Sequence, residues 1–590
     1  MINIKTVNRN ILSILLCMIL FFHFAGKLCA QGISTQGTDF WLSFGNNMNA
    51  SYINVNLQVR IVTSDAATVK LTYTYDNADT IVNIAAGSVY TYSFTETERL
   101  KLYSDVTGIT GKSLHIESNV PVSVYALNQY AYTTDATNVL PVDALGADYY
   151  HISYLSVAWN PPLSDGYTVI ATEDVTEIYE NGILKASLQK GEVYSAYFST
   201  TDLTGKHITS NKSIAYFVTS ESVFVPKDLW AADCLYQQLI PVNKWGNNFL
   251  VPITHRGIER IRIIASQDGT IITQTGGVIK TDNGGYSQNS LNLNRGEFVE
   301  LEASLTGCGC YISSNKPVGV CTYLIGMDNL SLLTTKGDPA MAWVPPVEQS
   351  INGTLIAPFV PDGITALDEH YALIITPTAS KNLTTVATGT NPATALTGGS
   401  WCDNTASNFS FYSLQLSNNS NDAYYFANPY GLTVMGYGIG SYESYYYFAG
   451  AAARDLDLAF YYTNPGISDT IHHQDLEGMA FCDTVAHFSA VVQYAMSATP
   501  GYLKWFIDNV EQNAVRDSLS WWTTSLSPGV HTVDLVALGL NGDIDTASST
   551  FTISAPEINT ITDIICWGTG KYHDYGFDTL PQQTGMIYDT

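Results

Sequence analysis

The chain has 590 residues, enough for several domains, each with its own core. It carries 26 basic against 53 acidic residues, a formal net charge of −27. Such a field repels nucleic acid and anionic membranes, and attracts calcium or a basic partner.

The first thirty residues read as a signal peptide. Lys5 and Arg9 form a positive n-region, ILSILLCMILFFHFAG an apolar h-region, and KLCA ends in a small residue before Gln31, which places cleavage after Ala30. The apolar run is short for a membrane span. Leu28 stands before Cys29 where a lipoprotein signal needs a small residue. Cleavage removes Lys5, Arg9 and Lys27 and leaves 23 basic against 53 acidic residues, a balance of −30. No later apolar run is long enough to cross a bilayer, so a secreted or cell-surface protein is expected.

From residue 37 onward the sequence repeats. An opening motif appears as GTDFWLSF, GADYYHISY, GNNFLVPI and GTLIAPF, starting at Gly37, Gly146, Gly246 and Gly353. A strand and turn follow (RIVTSDAATVKL, VIATEDVTEI, IIASQDGTII and IITPTASKNLTTV). A strand opened by glycine comes next, at Gly87, Gly191 and Gly296. Then comes a Ser-Asn element in SNVPVSVY, SNKSIAYF and SNKPVGVC, with a weaker copy in ANPYGLTV; its asparagines are Asn119, Asn211, Asn315 and Asn428. VLPVDALG, LIPVNKWG and WVPPVEQS close three of the copies. Four units result, 37–145, 146–245, 246–352 and 353–452.

Within these runs apolar residues alternate, as at Val122, Val124 and Ala126. Period two with β-branched and aromatic residues predicts strands with one buried face. SNVP and SNKP supply turn residues, so each Ser-Asn element is expected to be a hairpin. The fold class is all-β: tandem antiparallel sandwich-like units. Propeller-like blades are the alternative that the repeat length leaves open.

GITGKS at 108–113 resembles the end of a phosphate-cradling loop. Such a loop needs glycine five positions before the Gly-Lys pair, and Val106 stands there. The flanks read as strands, with no helix start to present its amides to an anion. Later copies carry Lys206-His207 and Gly309-Cys310 instead, so the element follows architecture and not nucleotide chemistry.

After residue 455 the pattern changes to short alternating strands: FCDTVAHFSAVV, YLKWFIDNVEQ, LSWWTTSL, SPGVHTVDLVAL and DIDTASSTFTIS. One antiparallel sandwich over 455–555 fits, with Trp505 or Trp521 as a core aromatic. Residues 556–590, with Cys566 placed like Cys482, form a partial module or tail.

GTDFWLSF, SNxPVSVY and LPVDALG together resemble the IgGFc-binding protein N-terminal domain family of exported bacterial surface proteins, over about 37–450. Residues 455–555 resemble the PKD or immunoglobulin-like modules that follow such domains. The resemblance implies a secreted or surface location, and binding rather than catalysis. It implies no binding-residue motif.

Candidate chemistry is sparse. Seven cysteines follow the signal segment: Cys234, Cys308, Cys310, Cys321, Cys402, Cys482 and Cys566. If Ser313 faces Val318 in a hairpin, Cys310 faces Cys321, close to disulfide distance in an oxidising compartment. Cys308 and Cys310 share a strand face without the ligands that would complete a zinc site. His472, His473 and Asp475 in HHQD read as a solvated linker, since neighbours on an extended segment point apart. His115 and His207 occupy equivalent places that Tyr311 fills in the third unit, and read as strand residues. Asp543 and Asp545 in NGDIDT are turn formers that could meet calcium. SYESYYYFAG at 441–450 is expected to bury alternate rings. There is no GxSxG elbow, HExxH or EF-hand loop, and no cofactor is expected apart from calcium.

The expected function is an adhesin-like binding protein that recognises a host glycoprotein, mucin, antibody or glycan. A structural envelope or stalk protein with bacterial partners is one alternative. A carbohydrate-active enzyme with an unrecognised carboxylate pair is the other.

Overall fold

The computed structural model describes residues 34–227, 229, 231–326, 336–360, 367–418, 422–453, 459–467, 471–476, 478–491, 503–538 and 544–554. Almost every element is a β-strand.

The long strand Leu114–Tyr130 is the spine of the first unit. Its first part pairs antiparallel with the opening strand Gly37–Leu42 and with Ala67–Tyr73, which pairs in turn with Asp79–Ile84. Its second part pairs with Asn56–Thr63 and with the closing strand Thr133–Val139. One strand thus passes from one layer of a sandwich to the other. His207–Val223, Cys310–Leu324 and Tyr424–Gly440 play the same part in the other units, with closing strands Asp233–Gln238, Ala340–Trp343 and Glu443–Gly450.

The Ser-Asn element is therefore not a hairpin. It is a bulge inside a single strand. Gly37 pairs with Val122, yet Asp39 pairs with Glu117; the same shift separates Gly146 from Asp148, Gly246 from Asn248 and Ile351 from Gly353. The turn chemistry is present but local: Ser210 and Ser314 hydroxyls donate to the carbonyls of Lys212 and Lys316 at 2.5 and 2.6 Å. The chain then continues forward, because this direction buries Val122, Val124 and Ala126. Each buried aliphatic side chain contributes about 1.5–3 kcal/mol, against roughly 1 kcal/mol for a local hydrogen bond. The asparagine at the bulge caps the neighbouring strand. Asn119, Asn211 and Asn315 accept the backbone N–H of Thr68, Glu177 and Ile271 at 2.7–2.8 Å. Asn428, in the weaker copy, instead donates to the Ser380 carbonyl at 3.0 Å.

The repeated glycines and prolines meet one another. A Cβ at Gly37, Gly146 or Gly246 would collide with Pro141, Pro241 or Pro346, the proline of the closing motif in the same unit.

The four units do not form an extended string. They close into a ring. Tyr236 of the second unit donates its hydroxyl to the Ser43 carbonyl of the first at 2.6 Å. Tyr323 of the third reaches the Ser153 carbonyl of the second at 2.9 Å, and His255 Nδ1 lies 2.8 Å from the Tyr437 hydroxyl of the fourth. Tyr125 of the first unit then donates to the carbonyls of Leu355 and Ala449 of the fourth, at 2.5 and 2.8 Å. The backbone N–H of Thr35 donates to the Ala451 carbonyl at 3.1 Å, which brings the start of the described chain onto the end of the fourth unit.

The closing strands meet at the centre of the ring, and so they are buried on both faces. Every residue of Thr133–Val139, Asp233–Gln238 and Glu443–Gly450 is buried. Most of the ring shares one apolar cluster, from Phe40 to Ala453. Residues 460–553 form a separate core between a four-stranded and a five-stranded sheet, with Phe460, Phe488, Trp505, Trp521 and Phe551 at its centre.

Candidate binding cleft at the axis of the ring

Each long strand turns into its closing strand at one end of the ring axis. Four residues at these turns are left-handed: Tyr132, Ala231, Gly337 and Tyr442, with φ of 62°, 74°, 89° and 60°. An open cleft of about 340 Å³ lies between the turns, lined by Tyr132, Ala231, Ala232, Asp338 and Tyr442. All four units therefore contribute to it. The rings of Tyr132 and Tyr442 meet edge to face at 6.4 Å, and both are exposed.

Carboxylates cluster beside this lining. Asp233 Oδ1 accepts the backbone N–H groups of Thr134 and Cys234 at 2.5 and 2.7 Å. The Thr134 hydroxyl donates to Glu443. Asp135 sits among all four closing strands and accepts four backbone N–H groups: Ala136 at 2.8 Å, Tyr446 at 3.1 Å, Tyr236 at 3.1 Å and Met341 at 3.3 Å. Two oxygens elsewhere in the cluster, Asp233 Oδ2 and Asp338 Oδ1, are buried without a hydrogen-bond partner.

Burial sets the protonation of these groups. It pushes the Asp338 carboxyl up to about 7, against the pull of Arg256. It pushes Asp233 well above the usual carboxylate range, and repulsion from Glu443, Asp338 and Asp135 adds to this. Asp135 is also raised by burial, with its four backbone donors pulling the other way.

This cluster does not stand out in the sequence. Its signal was an acid near the start of each closing segment, in TTDAT, ADC, GDPA and YES. Variable spacing from the Ser-Asn element hid the alignment.

The residues singled out from sequence fall elsewhere. Cys310 and Cys321 lie on the same long strand and do not pair; both are free and buried. That pairing depended on a hairpin which does not exist. Cys308 instead forms a disulfide with Cys402, joining the third unit to the fourth. Lys112 of GITGKS donates to the Tyr103 carbonyl at 2.7 Å and to Asp105 at 3.2 Å, and Ser113 donates to the Gly191 carbonyl at 2.6 Å. Gly108–Thr110 is an edge strand paired with Val193–Ser199 of the second unit, so this stretch stitches two units together.

His115 stacks on Trp41 at 4.1 Å and its Nε2 lies 2.8 Å from Asp39; His207 stacks on Tyr150 at 4.5 Å and its Nε2 lies 2.7 Å from Asp148. In the third unit the Tyr311 hydroxyl donates to Asn248 at 3.0 Å. The repeat keeps a polar cross-strand pair and changes its chemistry. His473 packs its ring on Phe460 in the C-terminal core, beginning the short helix His473–Leu476 that also carries Asp475. His472 ends a two-residue strand. Asp543 lies outside the described residues, and Asp545 is in the strand Ile544–Ile553. Tyr445, Tyr446 and Tyr447 are all buried, not alternate ones, because their strand is central. Among the described residues, no group of three or more His, Cys, Asp or Glu side chains could hold a metal ion, and no helix is long and apolar enough to cross a membrane.

The IgGFc binding protein family matches residues 135–436, a little over half of the chain. The chain belongs to the IgGFc-binding family. Human IgGFc-binding protein is 26% identical over 247 residues, covering 39% of this chain and 4% of the human protein. The chain thus spans a small part of that relative's length. Among solved structures, a tetra-tandem repeat from the extending region of a large adhesion protein aligns at 13% identity, over 87% of this chain and 98% of that one, with a TM-score of 0.13. A calcium-stabilised adhesin of an Antarctic bacterium aligns at 8% identity over 88% and 99%, with a TM-score of 0.11.

Proposed function

We propose that this is an exported, adhesin-like binding protein whose axial face recognises a partner of the immunoglobulin or mucin-type glycoprotein class. Membership of a family named for antibody binding supports a binding role. The observation that carries the reading is the cleft to which all four units contribute a turn. A site assembled from every repeat depends on the whole ring, and exposed tyrosines are frequent anchors of protein and glycan contacts.

The reading includes export through the signal segment at 1–30, units at 37–145, 146–245, 246–352 and 353–452, a PKD or immunoglobulin-like module at 455–555, and a partial module or tail at 556–590. The separate core of residues 460–553 supports treating that module as a unit of its own. Binding, and not turnover, is the proposed activity.

The test is an array of immunoglobulins, mucins, other glycoproteins and free glycans probed with the mature chain, with and without calcium. The reading expects saturable retention of a member of this set, lost in Tyr132→Asn/Tyr442→Asn. Retention of bacterial envelope proteins alone would favour a structural role, and turnover of a glycan would favour an enzyme.

A further inference from the structure

We propose that the axial cleft takes an organic cation, a primary ammonium of the kind a lysine side chain carries, held between the Asp338 carboxylate and the rings of Tyr132 and Tyr442. The proposal rests on the reading of this cleft as a binding site, and does not depend on which macromolecule presents the cation.

Three observations converge. Asp338 lines the cleft, is 1% exposed, and keeps Oδ1 without a hydrogen-bond partner. A buried carboxylate oxygen left unpaired is costly, and a ligand N–H donor removes that cost. Tyr132 and Tyr442 give the mouth two aromatic rings, whose faces attract an ammonium. Glu443 acts on Asp338 as a negative neighbour, and the whole chain is strongly acidic. The opposing charge is Arg256, which stands behind Gly337. Among the described residues no ion pair joins it to Asp338, so it moderates the field without supplying a donor to Oδ1. Lys336 is held by Asp368 and Glu369 at 2.7 and 2.9 Å.

The same observations favour an ammonium over a metal. Calcium takes six to eight oxygen ligands, and no metal-holding group of side chains forms here among the described residues. Two tyrosines and two alanines make most of the wall, which suits a cation carried on an apolar stem.

Asp338 must be ionised to act. Burial pushes its carboxyl up to about 7, so ammonium binding strengthens as pH rises from 6 to 8. The other titratable groups facing it are Arg256, Glu443 and Asp233.

The experiment is calorimetric and NMR titration of the mature chain with N-acetyl-lysine methylamide at pH 6 and pH 8, beside its neutral norleucine analogue and calcium chloride. Saturable binding of the lysine compound, stronger at pH 8 and weakened roughly tenfold or more in Asp338→Asn, is expected, since the charge-assisted hydrogen bond is lost. Tyr132→Asn is the second variant, because Asn accepts a left-handed turn and the ring is exposed; it is expected to weaken binding without altering the fold. Equal binding of the neutral analogue, no saturation with either compound, or calcium binding that depends on Asp338 would overturn the proposal. Loss of glycoprotein capture with amine binding intact would overturn only the choice of partner.

Discussion

The Asp135 carboxylate accepts the backbone N–H of Tyr446 at 3.1 Å, across 311 residues of sequence. The same side chain accepts N–H groups from Tyr236 and Met341. One residue of the first unit thus ties it to the other three. These strands cannot all pair edge to edge at the axis, and the carboxylate satisfies donors that a ladder would otherwise satisfy. Asp135→Leu strands three inter-unit N–H groups in a buried place, at about 1–3 kcal/mol each. The expected outcome is loss of cooperative unfolding of the ring, or failure to obtain it as a monomer. Asp135→Asn is expected to be milder, because its amide oxygen keeps part of the set. Thermal unfolding followed by near-UV circular dichroism checks both.

Arg262 is the second tie. It is fully buried between the second and third units, donates to Asp202 at 2.8 Å and to Glu300 at 3.0 Å, and lies 4.0 Å over the Tyr154 ring. Removing one partner of a buried pair leaves the other charge uncompensated, at about 3–5 kcal/mol. Arg262→Met is expected to lose that amount in chemical denaturation. Arg262→Met combined with Asp202→Asn should recover part of it, because Glu300 keeps Arg260 as a partner at 3.0 Å.

Thiol chemistry separates the cysteines. Burial pushes the Cys310 thiol up to about 12 and those of Cys234 and Cys321 well above the usual range. Native protein treated with iodoacetamide at pH 8 should leave all three unmodified, since the thiolate is the nucleophile. Peptide mapping without reductant should recover Cys308 joined to Cys402, and the pair Cys308→Ser/Cys402→Ser should cost about 2–4 kcal/mol.

Asp338 makes stability depend on pH. Its folded pKa of about 7 is raised above its unfolded value. Its contribution is therefore full below the unfolded pKa, near 3.9, and is lost as pH rises through about 7. The slope is at most ~1.4 kcal/mol per pH unit. Glu259, raised by burial to about 7, acts in the same direction. His370, lowered by burial to about 4, opposes it, because it destabilises the fold as pH falls below 6.5. The difference in stability between the parent and Asp338→Asn should shift in favour of the variant between pH 4.5 and 7.5. A difference that stays constant would contradict this account.

Much of the architecture was legible because the repeats expose it. Asn119, Asn211 and Asn315 recur in sequence and perform one task in the fold, and Gly37, Gly146 and Gly246 recur because a proline sits against each. The direction of the chain at the Ser-Asn element was not legible. Ser and Asn form the same local turn whether the chain reverses or bulges, and the choice is made by burial beyond the turn. The candidate cleft was hidden for a related reason. It exists only where four turns converge, and no single repeat contains more than one wall of it. The disulfide between Cys308 and Cys402 likewise crosses a boundary between units that periodicity treats as a joint.

Crosslinking the first unit to the fourth tests ring closure most directly. In the double variant Tyr132→Cys/Tyr442→Cys, the two exposed turns stand where rings now meet at 6.4 Å. A short bifunctional maleimide should join them within one monomer, in high yield and independent of protein concentration. An extended string of units would hold residues 132 and 442 far apart, and the absence of an intramolecular link in folded monomer would contradict the ring and the cleft built on it.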